Sequence, residues 1–280
     1  MSAIGAKCPG QWCVMRANVL PSAIAILLAT SASPALAQRG RPAPREGSWD
    51  IALGVGGMIR PTFEGSDRSR FRPVPLISVK WRDTISFGEG GLNAYWHHRS
   101  FRIGGGLTYN FGRDERGSGG LLGSGDDRLA GLGKIDKALG LRVFASQRLG
   151  FVNFDIAATK FTGANNKGAE VNFGASMPLP LGRKLIVSPH VRATWTNDTY
   201  MQTYFGVTPL QASRSIFPAF NAGAGVKDVG GGVNLVYRMN QHWFLLGDVS
   251  VTRLMGDAAR SPISISDTTI GAMTMVGYRF

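Results

Sequence analysis

From residue 49 onward the apolar side chains recur at every second position, and this period limits what the chain can fold into. Trp49, Ile51, Leu53, Val55, Gly57 and Ile59 alternate with Asp50, Ala52, Gly54, Gly56, Met58 and Arg60. Phe71, Pro73, Pro75, Ile77, Val79 and Trp81 repeat the pattern against Arg72, Val74, Leu76, Ser78, Lys80 and Arg82. Phe101, Ile103, Gly105, Leu107, Tyr109 and Phe111 do so against Arg102, Gly104, Gly106, Thr108, Asn110 and Gly112. Further stretches begin at Leu139, Val152, Ala169, Leu185, Ala219, Val233, Trp243 and Thr269. Successive side chains of a strand point to opposite faces, so sustained alternation is a strand signature. No stretch offers a long amphipathic helix, and the chain reads as all-β.

Two architectures use such strands. In a soluble sandwich one face is a packed core and charge crowds the other. Here charged residues make up 18% of the chain, below the usual figure of about a quarter. The second face is instead rich in Gly, Ser, Thr, Asn and single Arg, which suits a confined aqueous lumen. The apolar stripes end in aromatics: Trp49, Trp81, Phe101 with Phe111, Trp195, Trp243, and Tyr278 with Phe280. Outer-membrane barrels place such residues at their two interfaces, and a tilted strand crosses in roughly 9–11 residues. An open sheet edge in lipid would leave N–H and C=O groups unpaired at several kcal/mol each. The prediction is a closed, transmembrane antiparallel β-barrel.

The N-terminus reads as an export address. Lys7 and Arg16 precede a short apolar stretch from Ala17 to Thr30, and Ala35-Leu36-Ala37 gives a small-x-small cleavage site. Residues 1–37 are taken as a cleaved signal peptide, 38–47 as a basic, Pro-rich lead-in, and 48–280 as the barrel. The two cysteines, Cys8 and Cys13, fall inside the signal. Cleavage therefore leaves no disulfide, thiol nucleophile or thiolate metal site.

Strands are expected near 49–60, 70–82, 84–96, 101–112, 138–149, 152–161, 168–178, 185–196, 217–227, 231–238, 243–254 and 269–280. That is about twelve, within a range of roughly ten to fourteen, with both termini on the periplasmic side where such barrels keep their short turns. Long and short connections fall out of step between 84 and 151 and around 197–216, which marks a strand missed or split. Val276, Tyr278 and Phe280 share one face of the last strand. An ending of this kind resembles the strand read by the outer-membrane barrel assembly machinery.

The connecting segments carry a family resemblance. In order they are Phe63-Glu64-Gly65-Ser66 with Arg72-Pro73-Val74-Pro75, Gly131-Leu132-Gly133-Lys134-Ile135-Asp136, Tyr200-Met201-Gln202-Thr203-Tyr204-Phe205-Gly206-Val207-Thr208, and Gly256-Asp257-Ala258-Ala259-Arg260-Ser261-Pro262-Ile263. With the terminal Tyr278-Arg279-Phe280, the chain resembles the MipA/OmpV (MltA-interacting protein) outer-membrane family over essentially its whole exported length. The resemblance implies a non-enzymatic barrel, in some members a scaffold linking a murein transglycosylase with a penicillin-binding protein. Other members are discussed as adhesins or in envelope adaptation. The family offers no catalytic residues to carry over.

Chemistry in the residues themselves is thin. His190 shares a lumen face with Ser188 and Arg192, and a hydrolase reading would pair it with a Ser and an acid such as Asp155. No Gly-x-Ser-x-Gly elbow supports one. His97-His98 lacks a third ligand, Asp126-Asp127 reads as a solvated loop, and the glycine-rich patches 54–57, 104–106 and 230–232 fit no phosphate-binding fingerprint. No catalytic, cofactor or metal site is assigned. The formal charge of +13 says more. Arg72, Lys80, Arg102, Arg142 and Arg192 fall on inward faces and would favour anions over cations in an open lumen, the alternative being a small anion-preferring channel. Arg60, Arg68, Arg70, Arg113 and Arg116 flank loops and suit lipopolysaccharide phosphates. Nucleic acid is excluded as a partner by export.

Overall fold

Twelve antiparallel strands close on themselves. In the computed structural model, which describes residues 49–88, 90–117 and 123–280, they are β1 (Trp49–Pro61), β2 (Ser69–Trp81), β3 (Ile85–Gly88), β4 (Gly91–His98), β5 (Phe101–Asn110) and β6 (Ala138–Leu149). The ring continues with β7 (Val152–Phe161), β8 (Ala169–Ser176), β9 (Leu185–Thr196), β10 (Gly225–Arg238), β11 (Trp243–Leu254) and β12 (Thr268–Arg279). Closure is made twice over. Strand β12 pairs with β1 through Tyr278↔Leu53 and Val276↔Val55, and β8 pairs with β9 from Glu170↔Thr196 to Ser176↔His190. The signal peptide at 1–37 and the lead-in at 38–47 lie outside the described residues.

The expected alternation holds along the wall. Outward Val55, Phe71, Val143 and Ile270 are each more than 60% exposed, whereas inward Ala52 and Arg72 are 5% and 7% exposed. Bare apolar stripes all round a closed sheet fit lipid, not water, as the surrounding solvent. Trp49 lies 6.2 Å from Trp81, and Trp243 meets Tyr278 edge-on at 5.2 Å near the short turns. Tyr109 and Phe111 meet edge-on at 5.0 Å near the long loops. Tyr278 and Phe280 also meet edge-on, at 4.9 Å, so the C-terminal aromatics line the seam where the barrel closes.

Connections alternate strictly. Residues 82–84, 99–100, 150–151, 177–184 and 239–242 turn at one end, together with both ends of the described barrel. Loops 62–68, 162–168, 197–224 and 255–267 gather at the other with residues 111–117 and 123–137, and β3 and β4 also meet there, at Gly88↔Gly91. The segment 84–96, read from sequence as one strand, is thus a hairpin. Gly91, at φ +88°, leaves that turn with its Cα against the Leu107 carbonyl, a place with no room for a side chain. Conversely, 217–227 and 231–238 are not two strands: β10 runs unbroken through 225–238, and 217–224 belongs to a loop. The two departures cancel, which is why a count of twelve survives.

The wall has a low point. Strand β3 pairs with β2 only at Val79, Lys80 and Trp81, and among the described residues no strand is registered against that edge of β2 above them. Thr62 N–H donates to the Arg68 carbonyl at 2.9 Å. Even-numbered residues of β2 therefore bond to β1, while odd-numbered ones turn their backbone groups to the free edge. Pro73 and Pro75 occupy two of those edge-facing positions and so present no orphan N–H.

Inside, the half nearer the short turns is narrowed by large apolar side chains. Leu76, Tyr95, Phe144, Phe244, Leu246 and Met275 all lie on inward faces, with Tyr95 and Phe144 at 6.5 Å between ring centroids. Gly277 makes this possible, because a side chain there would collide with the Phe244 ring and Leu76. The described cavity lies in the other half, beneath the long loops.

Candidate functional site

The long loops fold into a cap with its own core. Within 197–224 lie α1 (Asp198–Phe205) and α2 (Pro209–Ala212), and within 255–267 lies α3 (Gly256–Arg260). Asn197 caps α1 by accepting the Tyr200 N–H at 3.1 Å, and Thr208 forms a capping box with Gln211 at α2. Tyr200, Met201, Tyr204 and Phe205 of α1 bury themselves against Ile135, Ala138, Phe161, Leu254 and Ala258. A second cluster joins Phe63, Leu129, Leu132, Val207, Phe217 and Ile263 from four loops. Among the described residues the largest fully buried apolar side chains, Phe63, Phe205, Leu129 and Met201, are here and not in the wall.

Polar ties lock the cap to the barrel. The Tyr204 hydroxyl donates to Asn110 Oδ1 at 3.0 Å and accepts from Asn166 Nδ2 at 3.1 Å. Arg113 Nη1 donates to the Tyr204 carbonyl at 2.6 Å. Burial raises the Tyr204 phenol to about 12 and also holds the Tyr200 phenol well above its ordinary value, with the Glu64 charge adding to both. Burial also lowers Arg113 to about 10. Asp126 is 5% exposed and accepts from Thr62 and Arg128. Although burial opposes its charge, these bonds hold its carboxyl below the usual range. Asp126 is thus a structural node, not part of the solvated loop expected from sequence, while Asp127 stays exposed. Arg128 reaches on to Asp67 at 2.6 Å.

Beneath the cap is a cavity of about 400 Å³. One wall of it is built by an irregularity. Opposite Thr194 and Trp195 of β9 stand Asp228 and Val226 of β10, leaving Lys227 as an extra, bulged residue. Lys227 and Asp228 both turn inward as a result, at 5% and 6% exposure. Lys227 Nζ lies 2.6 Å from Glu64 Oε1 and 3.3 Å from Asp228 Oδ2, over the Tyr200 ring at 5.2 Å. Asp228 also accepts from Thr194 at 3.0 Å, and Glu170 from Asn172 at 3.2 Å. Each carboxylate on this wall already has a partner. Strands β1 and β2 contribute Arg60 and Arg72 to the cavity, and Arg192 of β9, beside the acidic group, donates to Thr252 at 3.1 Å.

The five basic residues singled out from sequence all follow inward parity, yet they do not form one group. Arg72 and Arg192 line the cavity. Arg142 lies over the Phe144 ring at 5.7 Å, and Arg102, nearer the short turns, lies over Tyr95 at 4.7 Å. Lys80, next to the short turns, stands opposite Asp50. Three of the arginines read as loop-flanking lipopolysaccharide contacts are corrected: Arg113 is buried, Arg60 lines the cavity, and Arg70 has a buried nitrogen. Lys227 and Glu64 were missed. Only the break in alternation at Lys227-Asp228 signalled them, and it was read as a strand end.

The histidines do not assemble a nucleophile. His190 Nε2 lies 4.0 Å from Asp248, while Asp155 sits opposite Gly174 on β7. Among the described residues His190 receives no hydroxyl hydrogen bond, and no group of His, Cys, Asp and Glu could hold a metal ion. His98 stacks on Trp96 at 5.8 Å and His242 on Tyr278 at 5.3 Å.

Comparison with known proteins places residues 53–280 in register with the sequence profile of a family described as MltA-interacting protein MipA. No curated protein matches the chain. Among similar solved structures is OmpT of Vibrio cholerae, at 8% identity and TM-score 0.37, over 84% of this chain and 98% of that one. The CymD monoaromatic hydrocarbon channel is similar at 12% identity and TM-score 0.41, over 84% and 88%. OmpF of Salmonella typhi in complex with daunomycin is similar at 11% identity and TM-score 0.36, over 84% and 98%.

Proposed function

The chain belongs to the MltA-interacting protein MipA family, and from that membership we propose that this outer-membrane barrel is a non-enzymatic scaffold. Its short-turn face, taken as periplasmic, docks a murein transglycosylase of the MltA kind and, through it, a penicillin-binding protein. What carries the reading is the family match over residues 53–280, since the family's description names that partner.

Two features support it. A barrel narrowed by large apolar side chains under a packed cap is a poor conduit, so its working surface is the outside. The short-turn face is also strongly basic: Arg82, Arg99, Arg148, Arg183, Lys184 and Arg238 are all exposed there. Its acids are already engaged, Asp50 by Arg279 at 3.2 Å and Asp83 by the Tyr95 hydroxyl at 3.2 Å. Such a rim suits an acidic partner surface, with binding that weakens as salt screens it.

The test is retention of a purified MltA-type transglycosylase on the tagged barrel in detergent. We expect a complex at low salt, weakened at least tenfold when Arg82, Arg99 and Arg183 are changed together to Glu. A wild-type barrel that retains no transglycosylase would sink the proposal.

A further inference from the structure

The register of β1 and β2 sets Arg60 directly opposite Arg70, with Arg72 two residues along on the same inward face. Like charges facing each other across a strand pair repel. None of the three guanidinium groups has a carboxylate within ion-pair distance among the described residues, where the pairs formed involve other cations. The nearby carboxylates are spoken for: Glu64 and Asp228 hold Lys227, and Glu170 accepts from Asn172.

Arg72 is the decisive member. It is 7% exposed and lines the cavity, yet its Nε and Nη2 atoms are buried without a hydrogen-bond partner, as is Nη1 of Arg70. A guanidinium stays charged at any working pH, and burying it unpaired is costly. Around it the cavity offers Asn110, Ser250 and Thr269, neutral groups that tolerate an anion. The uncompensated guanidinium groups of Arg60 and Arg72, both lining a space of about 400 Å³, match an oxyanion that accepts two bonds from each guanidinium.

We propose that this cavity is a binding site for a phosphate group, held by Arg72 with Arg60, while Arg70 opposite Arg60 adds to the uncompensated charge. The group belongs either to a small phosphorylated solute or to a phosphorylated lipid headgroup. The site is independent of the scaffold role: its failure leaves docking at the short-turn face untouched, and failed docking leaves the site standing.

The experiment is calorimetric titration of inorganic phosphate into the folded barrel in detergent, against chloride at equal ionic strength. One phosphate per barrel should bind saturably, and R72Q should weaken binding at least tenfold. R72K, which keeps the charge but loses the fork, should fall between. K167Q, at an exposed loop position outside the cavity lining, should bind as wild type does. Heat-modifiable migration on gels checks folding of each variant, and R60Q, altered at an exposed position, supplies the same readout should R72Q not fold. Phosphate that binds no better than chloride overturns the proposal, as does wild-type affinity in a folded R72Q or R60Q barrel. Repeating the titration in nanodiscs with and without lipopolysaccharide assigns the source. Competition means a headgroup phosphate fills the site, and its absence means a soluble one does.

Discussion

At Lys227 strand β10 carries one residue more than its partner, and the surplus turns an ammonium group into a space shared with Glu64 and Asp228. Removing one member of a buried charged set leaves the others desolvated and unpaired, at a cost of about 3–5 kcal/mol where all are buried. Glu64 is 41% exposed, so Lys227→Ala is expected at or below the lower end of that range. The urea midpoint of the folded barrel in detergent would show it, and adding Asp228→Asn should recover part of the loss. A midpoint unchanged by Lys227→Ala would mean the bulge carries no charge-pairing role. This residue also marks the limit of sequence reading. Alternation was enough to turn Arg72 and Arg192 inward, because parity needs only local periodicity. A bulge resets parity, so Lys227 was illegible, and Arg60 and Arg70 were assigned to loops although the same parity turns them in.

Elements in the wall were legible because each strand repeats a local pattern, whereas the cap has none. Helix α1 spans 8 residues, too few for a helical stripe, and its burial depends on partners from distant loops. Tyr200 and Tyr204 test that packing. The protonated Tyr204 phenol is favoured in the folded cap, at about 12 against an ordinary 10.0. Its contribution is therefore complete below pH 10 and lost between pH 10 and about 12, where only the unfolded phenol ionises. Phenolate absorbance on alkaline titration should show Tyr200 and Tyr204 ionising only above pH 10, together with protease access to 197–224. Uniform ionisation near pH 10 would mean the cap is not packed as described. The free edge of β2 makes a second test. Pro73→Val with Pro75→Val restores two edge-facing N–H donors, each costing several kcal/mol if left bare in lipid. Light scattering in detergent should detect edge-to-edge dimers or aggregates that the wild-type barrel does not form. A monodisperse double variant would show that the edge is already covered.

For the molecule as a whole, the closed ring followed from lipid physics once the period was known, but the state of its interior did not. Inward faces carry Leu76, Phe244 and Met275 as well as Gly and Ser, and whether large inward residues meet depends on register across strands far apart in sequence. Where they meet, they form a seal that dewets any path. The cap makes a second seal in series over the other end. Wild-type barrels in planar bilayers are therefore expected to be silent. Shortening 197–224 to a tight turn should leave them silent, because the apolar plug stays. Replacing Phe244, Leu76 and Met275 with Ala should also leave them silent, because the cap stays. Only the combined variant is expected to conduct, with anion preference set by Arg72, Arg142 and Arg192. Stepwise conductance in the wild type would mean that neither seal holds, and would favour the channel alternative over the scaffold. Conductance in just one of the single-seal variants would identify which barrier is the working one.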